Sequence, residues 1–502
     1  MRILYIDIDS QRPDHLGCYG YHRATSPAID AIASEGVRFN RCYTPDAPCL
    51  PSRTALYSGR FGIQTGVVGH GGTAAEPKRE GPDRDFRDRF DRDGLARRLQ
   101  QAGFHTAMIS PFGQRHAAWH FYAGFHEIHN TGFNGMESAE QVMPTVNKWL
   151  ADNASRDNWF LHVNFWDPHT PHRAPSAVGE PFVQCPIPAW LDDDALIERH
   201  QAMTGPHTLQ DISMYGDETS PKFPRQVGRV DSRADMPKLI DGYDTGTRYV
   251  DQQIARIVDH LKSAGVYSDT AIIVSADHGE NYGELGIYAE HATADEGTCH
   301  IPLIIKWPGG KKGVMRERLI YNLDLAPTLA ELIGFDAPSI WDGLSFASSI
   351  TGDADAGRDQ LILSQCAHVC QRSVRWDRWL YIRTYHDGFH CFADEMLFDL
   401  QADPHEQHDL ASKCPDLCRE AAWRLMGWHD QQMKRMSRAA SDSVDPLWTV
   451  MREGGPFHAR LTRPGNPGGL EGLETYLDRL ESTGRADGAN AIRSNHLAGR
   501  SA

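Results

Sequence analysis

Cys49 is the side chain of this sequence that is best placed to act as a nucleophile. Residues 48–53 read PCLPSR, and the proline at position 51 favours the first turn of a helix. Gly59 can end that helix, so Cys49 is expected just before a helix N-terminus, where free N–H groups attract anions. Arg53, one turn further on, adds a guanidinium that suits a pair of sulfate or phosphate oxygens. The alternative is that Cys49 is an ordinary buried thiol.

Acidic and histidine residues follow three predicted strands. Asp9 closes the first strand, Asp277 and His278 follow a strand over 271–275, and His169 follows a strand that ends at residue 165. Ligands collect at the carboxyl ends of strands in open α/β sheets. Hard cations bind oxygens from separate segments, so the pattern predicts a metal site at Asp9, Asp277 and His278. Asp7 lies on the same strand face as Asp9 and is expected to act indirectly. The alternative for each residue is a strand-end or helix cap.

The elements that position these residues alternate between apolar strand-like runs and helical patterns. This alternation predicts an α/β fold with a large, mostly parallel sheet sandwiched by helices. A smaller antiparallel sheet with a covering helix is predicted to follow. The predicted domains are an α/β domain over 1–345, an α+β subdomain over 346–440 and an extended tail over 441–502 that packs on its own chain or on a neighbouring subunit. Strands are predicted over 3–9, 105–110, 159–165, 270–275 and 301–306, and helices over 27–35, 95–102 and 239–264.

The composition is that of an ordinary globular protein, with 40% hydrophobic and 24% charged residues among 502. The formal net charge of −16 predicts no attraction to nucleic acid or to an anionic membrane surface. No stretch is apolar enough to span a bilayer. Residues 1–9 run straight into a strand, unlike a signal peptide, and the ten cysteines are scattered. These features predict a cytoplasmic protein.

Seven strings in this chain resemble, in order, those of the type I formylglycine-dependent sulfatases of the alkaline phosphatase superfamily. Within that family the chain resembles members near the arylsulfatase and phosphonate monoester hydrolase branches. The resemblance covers about residues 1–410. It includes the Cys-x-Pro-Ser-Arg pattern at Cys49 and the acidic and histidine strings described above. It implies an alkaline phosphatase-like fold. The matching strings lie at 11–20, 49–53, 167–171, 276–280, 301–309, 324–328 and 397–406.

The resemblance also implies a role for each site residue. Cys49 would be oxidised by a formylglycine-generating enzyme to an aldehyde, whose hydrate would attack the sulfur of an ester. The acidic and histidine residues of the predicted metal site would hold a divalent cation. Arg53 would hold the hydrate and screen charge, and His169 would bind the sulfate ester or protonate its leaving oxygen. The second hydroxyl of the hydrate would then expel sulfate, so that one difficult displacement becomes two easier steps.

Two departures from the family pattern concern the metal. Ser10 stands where many members have a second metal-binding aspartate, and His278 stands where some have asparagine. The resemblance favours Ca²⁺. One carboxylate fewer and one imidazole more leave Mn²⁺ or Mg²⁺ open as alternatives.

Two further departures concern the substrate anion, because two sulfate-binding lysines common in the family are absent. One is replaced around residues 110–113, and Glu290 stands at the position of the other. An anion beside a carboxylate needs compensating positive charge, and the nearest candidates are His291, Arg115 and His116, which could instead be surface residues. Glu290 is predicted to meet a hydroxyl or amine of the substrate or to pair with an arginine. Trp166 is a candidate for stacking on a sugar.

The sequence therefore predicts a sulfuric ester hydrolase that acts on an anionic sulfated sugar or small organic sulfate. One alternative is a phosphonate monoester or phosphodiester hydrolase with the same site. Another is a non-catalytic binding protein on a sulfatase scaffold, which the missing lysines motivate. Loops over 71–93 and 175–232 are expected to carry specificity, and the tail from residue 441 favours a homo-oligomer.

Overall fold

The computed structural model describes residues 1–78, 89–438, 444–456 and 469–497. Its strands are β1 (Arg2–Ile8), β2 (Val37–Tyr43), β3 (Asp46–Ala47), β4 (His105–Ile109), β5 (Glu127–His129), β6 (Trp159–Phe165), β7 (Thr270–Ser275), β8 (Asn281–Tyr282), β9 (Tyr288–Glu290), β10 (His300–Lys306), β11 (Val314–Arg316), β12 (Ile320–Tyr321), β13 (Gln360–Gln365), β14 (Cys370–Trp376), β15 (Trp379–His386) and β16 (Glu395–Asp399). Its α-helices are α1 (Pro27–Ser34), α2 (Cys49–Ser58), α3 (Gly62–Thr65), α4 (Arg89–Asp93), α5 (Leu95–Gln101), α6 (Phe112–Arg115), α7 (Ala139–Asn153), α8 (Asp194–Gln201), α9 (Met236–Ser263), α10 (Glu296–Cys299), α11 (Leu325–Ile333), α12 (Ala347–Thr351), α13 (Pro415–Arg438), α14 (Pro446–Arg452), α15 (Gly469–Ser482) and α16 (Ala486–Ile492).

The larger sheet positions the site. Within the described ranges it has nine strands, in the order β11-β2-β10-β7-β1-β6-β4-β5, with β12 also paired to β2. Strand β1 lies between β6 and β7 and is parallel to both, whereas β10 is antiparallel to β7. The carboxyl ends of β1, β6 and β7 therefore meet at one edge of the sheet, where α/β folds place their ligands.

Helices cover both faces of this sheet, because its central strands are apolar on both sides. Along β1, Ile3 and Tyr5 face one buried core, while Leu4, Ile6 and Ile8 face the other. The first core also takes apolar residues from α2, α5 and α11. The second takes residues from α1, α7 and α9. Burial on both faces fixes the point along the sheet at which each strand ends. It thereby also fixes the position of the residue that follows the strand.

A second sheet has the strand order β16-β15-β14-β13-β3. It is antiparallel except for β3, which pairs in parallel with β13. Helix α13 packs on this sheet through Cys418, Ala421 and Leu425. Farther along the chain, Arg479 and Arg485 each form an ion pair of 2.6 Å with buried Asp211. The described part of the C-terminal tail therefore packs on its own chain.

The predicted fold class is confirmed: a large, mainly parallel sheet between helices accompanies a smaller antiparallel sheet. Strands β6 and β7 have the predicted bounds, and β1, β4 and β10 differ by a single residue at one or both ends. Helix α9 begins earlier than predicted, at Met236, with a proline in its first turn. The division into domains stays a prediction. In the part of the chain that the structure describes, no helix combines the length and apolar character needed to cross a membrane.

Candidate active site

The ends of three neighbouring strands bring the predicted metal and histidine residues together. Asp9 lies just beyond β1, Asp277 lies just beyond β7, and His169 lies in the loop after β6. Because β1 pairs with both other strands in parallel register, these three loops share one edge of the sheet. Burial of the strands explains this arrangement. Each strand is an apolar run, and the polar residue follows the end of that run.

Cys49 begins helix α2 rather than preceding it, so the expected position just outside the helix is wrong by one residue. Its side chain is 2% exposed, and Sγ lies 3.0 Å from Nε2 of His278. The next backbone N–H, that of Leu50, donates to Nε2 of His70 at 3.4 Å. The helix N-terminus thus meets histidines of two other segments and holds Cys49 against the metal-site residues.

The guanidinium of Arg53 is the centre of a buried ion-pair network. Its Nε donates to Asp7 at 2.7 Å, its Nη1 to Asp277 at 2.6 Å and its Nη2 to Asp9 at 3.2 Å. Arg53 is 1% exposed, so each carboxylate is paired out of contact with bulk water. The predicted charge-screening role fits this geometry, and pairing of Arg53 with substrate oxygens stays a prediction. Asp7 contacts Arg53, and its indirect role stays a prediction.

We call Asp7, Asp9, Cys49, Arg53, Asp277 and His278 the inner cluster. Nε2 of His278 lies 3.7 Å from Oδ1 of Asp9 and 3.4 Å from Oδ2 of Asp277. These atoms and the Cys49 sulfur lie within 4.8 Å of one another, close enough to ligate one ion. Three carboxylates around one guanidinium leave two negative charges uncompensated. The donors and the charge both fit a divalent cation.

The electrostatic environment distinguishes the side chains of the inner cluster. Burial raises the pKa of the Cys49 thiol well above its usual value, and the charges of Asp9 and Asp277 add to this effect. An unmodified Cys49 is therefore a neutral thiol and a poor nucleophile. Burial also raises the pKa of Asp277, to about 6. For Asp9 burial acts in the same direction, but Arg53, His169 and His278 together oppose it, and the pKa lies below the usual value.

His169 borders the inner cluster with one nitrogen turned to its own loop. Its Nδ1 forms a hydrogen bond with the carbonyl oxygen of Thr170, so Nδ1 carries the proton of the neutral ring. Its Nε2 lies 3.8 Å from Oδ1 of Asp9. Burial lowers the pKa of His169 to about 3. Nε2 is therefore the nitrogen available for proton transfer at the site.

Glu290 lies in a second group of side chains, and histidines surround it rather than the predicted arginine. Its Oε2 lies 3.2 Å from Nε2 of His207, and its Oε1 lies 3.2 Å from Nδ1 of His291 and 3.9 Å from Nε2 of His368. We call Glu290, His291, His368 and His207 the outer cluster. Burial opposes the charged form of Glu290, but the three imidazoles lower its pKa well below the usual value. Glu290 is thus an ionised carboxylate beside the inner cluster.

The remaining predicted substrate residues, Arg115 and His116, belong to neither cluster. Arg115 and buried Arg173 each donate to the carbonyl oxygen of Gly135 at 2.8 Å, which brings two guanidinium groups together. The ring of His116 lies 5.0 Å from that of His70, and its buried Nε2 has no hydrogen-bond partner within the described ranges. These residues therefore offer positive charge and an unpaired imidazole nitrogen to an anion.

The prediction that Trp166 stacks on a sugar is wrong. Trp166 is 0% exposed, and the guanidinium of Arg115 lies over its ring at 4.8 Å. The sequence correctly suggests an aromatic residue near the site. Its burial depends on what packs above it, which periodicity along one strand does not reveal.

Sequence reasoning missed several residues that line the pocket, namely His70, Arg173, His207 and His368. None of them belongs to a motif that a single sequence reveals. His207 lies within the loop over 175–232 that was expected to carry specificity, and this location was the one available signal. The others reach the pocket through tertiary packing alone.

The fold and site together define a mixed α/β protein of the alkaline phosphatase-like fold with a buried group of residues that could hold a metal ion. The family model described as sulfatase matches residues 2–335, and the model described as N-sulphoglucosamine sulphohydrolase, C-terminal, matches residues 283–420. The first match spans more than half of the chain. The chain therefore belongs to the sulfatase family and is by class a sulfuric ester hydrolase, as the sequence predicts.

Similar proteins agree with this assignment. A choline-sulfatase of Rhizobium meliloti is 26% identical over 480 residues, which cover 85% of this chain and 86% of that protein. An N-acetylglucosamine-6-O-sulfatase of Bacteroides thetaiotaomicron is 25% identical over 484 residues and covers 82% of each chain. The phosphonate monoester hydrolase of Agrobacterium radiobacter has the same fold, with a TM-score of 0.65, 22% identity, and coverage of 86% of this chain and 96% of that one. A structure in complex with D-glucosamine-2-N,6-O-disulfate has a TM-score of 0.67, 20% identity, and coverage of 86% and 98%.

Proposed function

We propose that this protein releases inorganic sulfate from a sulfated saccharide or small organic sulfate, using an aldehyde nucleophile made from Cys49. The observation that carries the proposal is the position of the Cys49 sulfur, 3.0 Å from Nε2 of His278 and within 4.8 Å of the other inner-cluster ligands. Membership of the sulfatase family supports the reaction class. The raised pKa of the unmodified thiol supports the need for its oxidation.

The inner cluster supplies the nucleophile and its activation. The hydrated aldehyde supplies an oxygen nucleophile for attack on sulfur, and a divalent cation lowers the pKa of that oxygen. Asp9, Asp277 and His278 would hold the cation, for which Ca²⁺ is the first choice and Mn²⁺ or Mg²⁺ the alternatives. Arg53 keeps the carboxylates in place, because its three nitrogens bind three of them. Helix α2 places its positive N-terminal end at the same point.

Two further groups handle the proton and the charge of the substrate. Nε2 of His169 is the atom that would accept the proton released by the attacking hydroxyl and pass it to the leaving oxygen, since Nδ1 is engaged by Thr170. Arg115 and Arg173 would compensate the sulfate charge in place of the lysines that the family commonly uses. Both guanidiniums donate to the carbonyl of Gly135, which holds their two positive charges together.

The substrate class rests on the relatives. The choline-sulfatase and the N-acetylglucosamine-6-O-sulfatase named above match most of their own length to this chain. Choline sulfate and N-acetylglucosamine 6-sulfate are therefore the first compounds to assay. They differ in charge away from the sulfate, so the preferred one indicates what the pocket recognises.

The test joins a mass measurement to an activity measurement. The protein is produced with and without a formylglycine-generating enzyme, and the mass of the peptide that carries Cys49 is determined. Sulfate release by the same preparations is followed by ion chromatography. We expect sulfate release to rise in proportion to the fraction of aldehyde. Release at the same rate from fully unmodified protein would contradict the proposal.

A parallel assay separates the alternative activities. Nitrophenyl sulfate is compared with nitrophenyl phosphonate monoesters and phosphodiesters on aldehyde-containing protein. A higher kcat/KM for the sulfate supports the proposal, and a higher value for the phosphorus esters replaces it with the phosphonate or phosphodiester hydrolase. Metal-loaded, aldehyde-containing protein without turnover of any ester would favour the binding protein.

A further inference from the structure

The outer cluster brings three metal-binding atoms together outside the inner cluster. Oε1 of Glu290 lies 3.2 Å from Nδ1 of His291 and 3.9 Å from Nε2 of His368. One ligand atom from each of these residues lies within 4.8 Å of the others. Zinc binds such atoms at about 2.0–2.2 Å, so ligands of one ion lie about 3–4 Å apart. The separations therefore match those around one bound ion.

One nitrogen of this group lies close to a carboxylate without an aligned hydrogen bond. Nδ1 of His291 is close to the Glu290 carboxylate but has no hydrogen-bond partner among the described residues. His291 is 5% exposed and Glu290 is 6% exposed. A buried ring nitrogen without a partner has a desolvation cost unless something binds it. The arrangement is the one expected for two ligands that share an ion.

The surrounding residues hold the ligands in place before any ion binds. Nε2 of His207 contacts the other carboxylate oxygen of Glu290 at 3.2 Å. Buried Gln365 donates to the carbonyl of His291 at 3.0 Å and accepts from the backbone N–H of His368 at 3.0 Å. One side chain thus ties together the two segments that carry the histidine ligands. Outer contacts of this kind orient metal ligands in proteins.

We propose that Glu290, His291 and His368 form a second metal site, separate from the inner cluster, that binds Zn²⁺. Two imidazole nitrogens and one carboxylate oxygen are a common protein ligand set for zinc sites that keep a coordination position open. Nitrogen ligands select against Ca²⁺ and Mg²⁺, which prefer oxygen. His207 is the outer contact that orients Glu290.

The position of the second site gives it a role beside the first. The ring of His291 lies 4.3 Å from that of His278, so the two sites are neighbours. Glu290 stands where the resembling family commonly has a sulfate-binding lysine, and its carboxylate alone would repel an anion. A divalent cation held by Glu290 restores positive charge at that position. The glutamate with its bound cation would then take the place of the lysine, so that one cationic group replaces another.

The test is zinc binding, which does not require the proposed sulfatase activity. Chelator-treated protein is titrated with Zn²⁺ alone by calorimetry, and bound zinc is counted by mass spectrometry after dialysis. We expect the zinc bound by wild-type protein to include one equivalent that is retained in Asp9→Asn and lost in Glu290→Gln and His368→Gln. Co²⁺ absorbance should follow the same pattern. This readout separates failure of the second site from failure of the proposed function.

The matched control is His496→Gln. His386, Asp387 and His496 form another group with suitable ligand spacing, far along the chain from Glu290. The control variant should bind zinc as wild-type protein does. Loss of this equivalent in His496→Gln, or its retention in Glu290→Gln, would overturn the proposal. So would a wild-type protein that binds no zinc.

A measurement on wild-type protein covers the case in which the ligand variants do not fold. Zinc K-edge absorption of the loaded protein should show only nitrogen and oxygen ligands, at about 2.0–2.2 Å. A sulfur ligand at about 2.3 Å would place the zinc on Cys49 and contradict the proposed site. Thermal unfolding of each variant with and without Zn²⁺ identifies folded preparations, because a ligand that binds only native protein raises its stability.

Discussion

The inner and outer clusters are neighbouring buried groups that balance charge in opposite ways. The inner cluster surrounds one guanidinium with three carboxylates and retains two negative charges. The outer cluster surrounds one carboxylate with three imidazoles. The first needs a cation for neutrality, whereas the second offers nitrogen donors to one. If both proposals hold, the inner cluster binds metal through surplus negative charge and the outer cluster binds it through ligand chemistry.

The two clusters also differ in how the fold builds them. The inner cluster comes from the ends of β1 and β7 and from the first turns of α2, all of which belong to the large sheet and its covering helices. The outer cluster comes from the end of β9, from a long loop and from the turn after β13 in the small sheet. The inner cluster therefore depends on one core, and the outer cluster depends on packing between separate parts of the chain.

The largest effect is expected from Cys49→Ala. This change removes the proposed nucleophile of the inner cluster, and sulfate release should fall by roughly 10⁶-fold, as when other enzymes lose a catalytic nucleophile. Metal content should stay unchanged, because Asp9, Asp277 and His278 remain. Initial-rate assays and metal analysis check both statements. Cys42→Ala, a change of another buried cysteine, is the matched control and should keep activity; comparable loss in both variants would point to a folding defect instead.

His169→Gln should reduce turnover by about 10² to 10⁴-fold, the usual range for loss of a general acid or base. The reduction should be large for a sugar sulfate and smaller for nitrophenyl sulfate, because a good leaving group needs less proton donation. Comparing kcat for the two esters checks this. His172→Gln changes a buried histidine that contacts the hydroxyl of Tyr282, and it should leave the ratio between the esters unchanged. An equal reduction for both esters in His169→Gln would exclude the proton-transfer role.

Asp445→Asn tests the support of the small sheet that carries His368. Arg372 binds Asp445 through two contacts of 2.8 and 2.7 Å, and both residues are buried. Breaking such a pair leaves an unpaired charge, so the free energy of unfolding should fall by about 3 kcal/mol. Urea unfolding checks this value. Asp152→Asn, in the exposed pair with Lys148, is the control and should cause no measurable change.

The same pair predicts a dependence on pH. Burial opposes ionisation of Asp445, but Arg372 and His429 hold its pKa below the usual value. A carboxyl with a lowered pKa contributes stability above its unfolded pKa of about 4 and loses that contribution as the pH falls. The difference in unfolding free energy between wild type and Asp445→Asn should therefore shrink below about pH 4. A difference that grows on acidification would contradict this assignment.

The smallest effect is expected from His207→Gln in the outer cluster. Loss of a contact that orients a metal ligand typically weakens metal binding by about 10 to 100-fold. We expect the zinc affinity of the outer cluster to fall by this factor without loss of the site. Competition with a chelator measures it. His105→Gln removes a histidine contact to a carboxylate far from the pocket and is the control; equal affinities in wild type and His207→Gln would show that His207 does not orient Glu290.

The sequence by itself determined the inner cluster almost completely. Cys49, Asp9, Asp277, His278 and His169 could be predicted because each follows a local apolar run or begins a helix. Parallel strands bring their ends to one edge whatever the details of packing, so local patterns were sufficient. The fold class followed from the same alternation of strands and helices.

Only the tertiary structure decided which groups surround Arg53 and Glu290. The binding of Arg53 by three carboxylates and the contacts of Glu290 with His207 and His368 join segments that are far apart in the chain. No periodicity links such segments, because their meeting depends on how loops and the second sheet pack against the large sheet. The sequence could therefore show only that Glu290 differs from the residue common in the family. The structure revealed the histidines that could form a metal site with Glu290.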